Sequence, residues 1–89
     1  MELNIGQIVI SKAGRDKGYL FVVIALEGDF AYLADGKTRP LANPKKKKLK
    51  HIQPTKMAST KIAQGILDGD NLLDADFRAA IKIARPDMA

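Results

Sequence analysis

With 89 residues, 46% of them apolar, and a formal charge of +5 at pH 7, the chain is sized for a single small domain with a modest core. It contains no cysteine, which excludes a disulfide scaffold, a zinc ribbon and a thiol nucleophile. The longest apolar run, residues 19–26, is too short to cross a bilayer, and the first residues lack the basic and apolar regions of a signal peptide, so a cytoplasmic protein with no membrane partner is expected.

Residues 7–12 are rich in Ile and Val and read as a short strand. Gly14-Arg15-Asp16-Lys17-Gly18 follows as a tight charged turn with glycine at both ends, where positive φ is easily accommodated. Residues 19–26 form a continuous β-branched, aromatic and aliphatic strand. Glu27-Gly28-Asp29 is a hairpin signal leading to a strand over residues 30–34. Asp35-Gly36-Lys37 is a second turn, and residues 38–41 read as a short edge segment because Pro40 removes one ladder donor. Asn43-Pro44 breaks the chain before the lysines. Leu49 and Ile52 suit one helical turn; a closing strand through His51 and Gln53 is equally readable, with Pro54 as its end. Short strands joined by turns, with no room for crossover helices, predict a mainly β fold, a small antiparallel barrel over residues 1–54.

Residues 55–89 read as a C-terminal helical extension. A weak helix over residues 57–68 is diluted by Gly65, and Gly69-Asp70-Asn71 is a loop. A better helix spans residues 74–85, with Asp74 as N-cap and Asp76 at the positive end of the dipole. Phe77, Ala80, Ile81 and Ala84 share one face, and Arg85 stands in the last turn before Pro86.

Charge is the strongest functional signal. Residues 37–61 hold nine of the fifteen basic residues and no acidic one, a net charge of +9, whereas residues 1–36 and 62–89 are each −2. Clustered like charge repels itself, so such a stripe implies an anionic partner, and nucleic acid is the common cellular polyanion. Lys45, Lys46, Lys47, Lys48 and Lys50 have no neutralising carboxylate close in sequence and are expected to contact phosphates, with Lys37 and Arg39 beside them. On that reading, Gln at positions 45–48 should flatten the salt dependence of binding and leave stability nearly unchanged. The bland reading is a solvated edge that keeps the fold soluble. The Pro-Lys-Lys-Lys-Lys run also looks like a nuclear-import signal, a pattern frequent by chance.

The turn at residues 14–18 adds Arg15 and Lys17, with Lys12 just before it. Glycine leaves the backbone open to approach, and a guanidinium pairs bidentately with phosphate or stacks on a base. Gly14 and Gly18 are read as structural. Tyr19, adjoining this loop, is the candidate for base stacking, while Phe21 and Tyr32 read as packing residues and Phe77 as the contact that docks the helix.

The stretch Ile5-Gly6-Gln7-Ile8-Val9-Ile10-Ser11-Lys12-Ala13-Gly14-Arg15-Asp16-Lys17-Gly18, followed by the apolar run, resembles a KOW motif, a strand–loop–strand unit with Gly14 at its glycine position. Tyr32-Leu33-Ala34-Asp35-Gly36 and the lysine-rich segment extend the likeness. Over about residues 3–54 the chain is similar to small bacterial KOW-domain RNA-binding proteins related to eukaryote-type large-subunit ribosomal proteins. That resemblance implies an SH3-like barrel and RNA, ribosomal RNA in particular, as partner. Nothing is carried over beyond Pro54.

Other chemistries find little footing. His51 is the single histidine and lies near no carboxylate in sequence, so no metal site or acid–base role is expected of it. Asp68, Asp70, Asp74 and Asp76 lack the length and bidentate glutamate of a calcium loop and read as helix caps and loop solubilisers. There is no phosphate-cradling loop, nucleophile elbow or paired-carboxylate arrangement, so neither catalysis, a cofactor nor a small-molecule substrate is expected. Two alternatives to RNA binding stand: a protein-interaction module meeting an acidic partner of the transcription or translation machinery, its Phe77/Ile81 helix docking or dimerising, and a non-specific DNA binder.

Overall fold

In a computed structural model describing residues 2–88, with side chains through Arg85, the chain runs β1 (Gln7–Ser11), β2 (Leu20–Glu27), β3 (Phe30–Ala34), β4 (Lys45–Lys48), a 3-10 turn (Leu49–His51), β5 (Ile52–Ala58), α1 (Thr60–Asp68) and α2 (Asp74–Met88). The strands form one antiparallel sheet in the order β4-β3-β2-β1-β5. The expected barrel is not closed: β4 and β5 are the two outer strands, joined by the 3-10 turn but not paired. β4 consists of four lysines, and charge on an edge strand discourages further pairing, so closure is not needed to protect it.

β2 is buried on both faces, which is why its sequence shows no polar alternation. Leu20 and Val22 join Ile8, Ala34, Ile62, Phe77, Ile81 and Ala84 in one cluster beneath the helices. Phe21 and Val23 join Leu3, Val9, Ala31, Leu33 and Ile52 in a second cluster on the other face. The register slips between Val23 and Ala25 against β3, and between Gln7 and Val9 against β5. Such bulges bend strands and increase twist.

The helices share a core with the sheet. Ser59 caps α1 by accepting the Ile62 N–H (3.1 Å), and Gly69 ends it in the left-handed region. α2 buries Phe77, Ile81 and Ala84, so that face is not available for dimerisation. Its first turn differs from expectation. Asp76 accepts the Leu73 N–H (2.9 Å), while Asp74 accepts the Leu41 N–H (2.7 Å) and ties the loop after β3 to the helix. α2 also continues through Pro86 to Met88, past the expected stop. Pro54, expected to end its element, lies inside β5 opposite Val9, a place an edge strand allows. Residues 38–41 are a loop, not a strand. Asp35 closes it by accepting from the N–H groups of Lys37 (2.9 Å) and Arg39 (2.8 Å) and from the Thr38 hydroxyl (2.6 Å).

Gly36 is where α2 meets this loop. Its φ is +76°, and a Cβ there would collide with the Asp74 carbonyl oxygen and crowd Phe77. Arg78 Nη1 donates to the Gly36 carbonyl (2.7 Å) across the same contact. Gly36→Ala is therefore expected to destabilise by roughly 2–3 kcal/mol, combining left-handed strain with displacement of α2. Urea unfolding measures this; an unchanged midpoint would refute the close approach.

Candidate nucleic-acid interface

In a strand, successive side chains point to opposite faces. Because residues 45–48 are a strand, the lysine run is split, and the single stripe expected from the sequence is corrected. Lys46 lies opposite Tyr32 and Lys48 opposite Phe30; Lys45 and Lys47 share the other face with Leu33 and Ala31.

Lys47 is not a surface cation. It is 8% exposed, and its ammonium donates to the Ala13 carbonyl (2.8 Å) and to Asp16 Oδ1 (3.0 Å). The Ser11 hydroxyl donates to the same carboxylate oxygen (2.6 Å), and Lys45 Nζ stands 3.9 Å from the other. Among the described residues no buried side-chain polar atom lacks a partner. Burial opposes ionisation of Asp16, but the hydrogen bonds from Ser11 and Lys47 and the charges of Lys47 and Lys45 outweigh it, holding the carboxyl below its ordinary value. The carboxylate that neutralises the run thus comes from thirty-one positions away, beyond any local reading of the charge pattern.

The loop between β1 and β2 takes its shape from this network and its backbone. Gly14 and Gly18 have φ of +86° and +89°. Gly18 N–H donates to Ser11 O (2.8 Å) and Tyr19 N–H to Asp16 O (2.8 Å). Arg15 and Lys17 are left exposed at its rim. Tyr19 is 46% exposed, its ring centroid 6.4 Å from that of buried Phe21, so it rests on the core while presenting surface.

Arg15, Tyr19, Thr38, Arg39 and Lys45 line a depression of about 260 Å³, with Asp16 and Phe21 also in its walls. A second depression of about 260 Å³ adjoins it, bounded by Gly18, Tyr19, Leu20, Asp35, Lys37, Thr38 and Arg85. Of the residues singled out by sequence, the fold therefore gathers Arg15, Tyr19, Lys37, Arg39 and Lys45. Lys12 and Lys17 are exposed nearby in sequence but line neither hollow.

Lys46, Lys48 and Lys50 are placed elsewhere. Lys46 Nζ lies 4.6 Å from the Phe30 ring centroid, 5.8 Å from that of Tyr32, and 3.6 Å from Glu27. Lys48 and Lys50 border a larger hollow of about 690 Å³ with Asp29, Phe30 and Leu49. That hollow brings two lysines beside Asp29, and the Phe30 ring in its wall is already covered by Lys46. His51 is half-buried, its carbonyl accepting the Lys12 N–H (2.8 Å).

Asp68, Asp74 and Asp76 serve structure. Asp68 accepts from Gln64 (2.9 Å), and Asp76 accepts from Lys61 (2.8 Å), the interaction that chiefly lowers its carboxyl below the ordinary value. Among the described residues, no group of three or more His, Cys, Asp or Glu is placed to hold a metal ion, and no helix is long and apolar enough to cross a membrane. No family model matches the sequence, and no curated protein matches it.

Sequence reading missed Arg85, and the signal was present: Arg78, Lys82 and Arg85 recur at the spacing of one helix face, beside the apolar face of Phe77, Ile81 and Ala84.

Two outcomes are expected. Lys47→Gln should destabilise by roughly 2 kcal/mol, because it removes the ammonium shared by half-buried Asp16 and the Ala13 carbonyl, whereas Lys48→Gln should change stability by less than about 0.5 kcal/mol. Chemical denaturation of the two single variants compares them, and equal stabilities would contradict the placement of Lys47. Asp16→Asn should be less stable at neutral pH. Since the folded carboxyl titrates below its unfolded value, its contribution is full above roughly pH 4 and is lost on further acidification. The gap between parent and variant should close in acid; a gap constant from neutral to strongly acid pH would rule out the ionised network.

Proposed function

We propose that this protein is a non-catalytic RNA-binding protein, and that it grips RNA through the depression formed by Arg15, Tyr19, Arg39 and Lys45. The observation that carries the reading is an exposed aromatic ring, seated on the core and ringed by cations from three chain segments. Cations supply phosphate contacts, and the ring supplies a stacking surface that every base can use. Few aromatic platforms and many cations favour backbone contacts with weak sequence preference, as expected for ribosomal or other structured RNA.

The fold supports the same reading. The order β4-β3-β2-β1-β5, with a 3-10 turn between the last two strands, fits an SH3-like architecture left open between β4 and β5. That architecture is the one the KOW-like strand–loop–strand at residues 5–18 implies, and that resemblance points to RNA contacts at this loop. An acidic protein partner would use the same cations, but the α2 face of Phe77 and Ile81 that could dock one is buried.

Binding of labelled RNA across a salt series tests the proposal. Arg15→Gln with Arg39→Gln should reduce the salt slope by roughly 1.4, about 0.7 per lost contact on a single strand. Tyr19→Ala should weaken binding by about 1–3 kcal/mol. Parent-like affinity in both variants, with folding verified by melting, would refute the site. Tighter binding of duplex DNA or an acidic peptide would assign the surface to that partner instead.

A further inference from the structure

The depression on the Lys37 side of Tyr19 leads to α2. A third hollow, of about 190 Å³, is bounded by Asp35, Lys37, Arg78, Ile81, Lys82 and Arg85. It shares Asp35, Lys37 and Arg85 with the second, and the second shares Tyr19 and Thr38 with the first. The three hollows thus lie side by side with shared walls, a series running from Lys45 to Lys82.

Cations outnumber carboxylates along it, with Asp16 and Asp35 also in the walls. Lys37, Lys82 and Arg85 are exposed, and among the described residues no carboxylate lies within ion-pair distance of them or of Arg39. Asp35 faces the channel, but its carboxylate is occupied by two backbone N–H groups and the Thr38 hydroxyl. Arg78 acts differently: its guanidinium is fastened to the Gly36 carbonyl, which fixes α2 against the loop and positions its next two cations.

Resting on the RNA-binding reading above, we infer that the α2 cations Lys82 and Arg85 complete a binding channel for an unpaired segment of RNA, with a base stacked on Tyr19 at its midpoint. The channel is concave and crosses an exposed ring between guanidinium groups, surfaces on which splayed-out bases stack. In a duplex the bases stack on one another, leaving Tyr19 unused. The backbone of a flexible strand can follow a row of cations from the hairpin loop to the helix.

The experiment compares parent protein, the double variant K82Q/R85Q and the double variant R15Q/R39Q. The probes are oligouridines of about four and about twelve nucleotides, spanning short and long single-strand footprints, and a fully paired RNA duplex of the longer length. The α2 residues are exposed, so K82Q/R85Q should melt with the parent. For the longer oligouridine, K82Q/R85Q should weaken binding by about tenfold and reduce the salt slope by roughly 1.4. The short probe, held at Tyr19, should lose less than about threefold, a span under one tenfold step in affinity. The duplex should bind at least about tenfold more weakly than the long single strand.

If K82Q/R85Q binds the long probe like the parent while R15Q/R39Q is impaired, the channel is refuted and the loop site stands. If neither variant is impaired, both readings fall. Duplex binding as tight as that of the single strand would overturn the assignment to unpaired RNA.

Discussion

The buried ammonium of Lys47 is the contact on which the proposed binding surface depends. It crosses from an edge strand to the loop between β1 and β2 and is held there by the Ala13 carbonyl and the Asp16 carboxylate. That loop carries Arg15 and leads into Tyr19, while Lys45, two residues before Lys47, reaches toward the other oxygen of Asp16. One internal ion pair thereby places a hairpin loop, an exposed ring and an edge-strand cation around the same hollow. Breaking a buried pair from one side leaves an uncompensated charge. The Ser11 hydroxyl, the third member, leaves the carboxylate well solvated by protein.

A second constraint acts through α2. Gly36 lets the helix approach the loop after β3, and Asp74 and Arg78 bind that loop from two sides. Asp35 organises the loop internally, so that Lys37, Thr38 and Arg39 are displayed from a closed turn. The helices therefore do more than cover the sheet. They fix the second wall of the cationic surface and contribute cations to it.

Much of the fold was legible in the residues. The unbroken apolar run identified β2, and its lack of alternation reflects burial on both faces. The Gly-Asp and Asp-Gly signals located the turns around β3, and the spacing of Phe77, Ile81 and Ala84 identified the buried face of α2. Less legible were features set by distant partners. Nothing local to Lys47 distinguishes it from Lys46 or Lys48; only its pairing with Ala31 and the reach to Asp16 do. Pro54 looked terminal because the availability of an edge position depends on the sheet order. The cations of α2 were hidden by averaging: the five aspartates of residues 62–89 outnumber them in the segment total, although four of the five lie at residues 68–76.

We place the proposed RNA contact on the face around Tyr19, not on the lysine-rich face around Phe30. Backbone and arginine side-chain NMR signals, followed while a short oligoribonucleotide is titrated into the intact protein, test this most directly. Shifts are expected to concentrate at Arg15, Tyr19, Thr38, Arg39 and Lys45, with quiet signals at Phe30, Tyr32, Lys46 and Lys48. Shifts centred on Phe30, Lys48 and Lys50, with the Tyr19 surface unmoved, would contradict that placement.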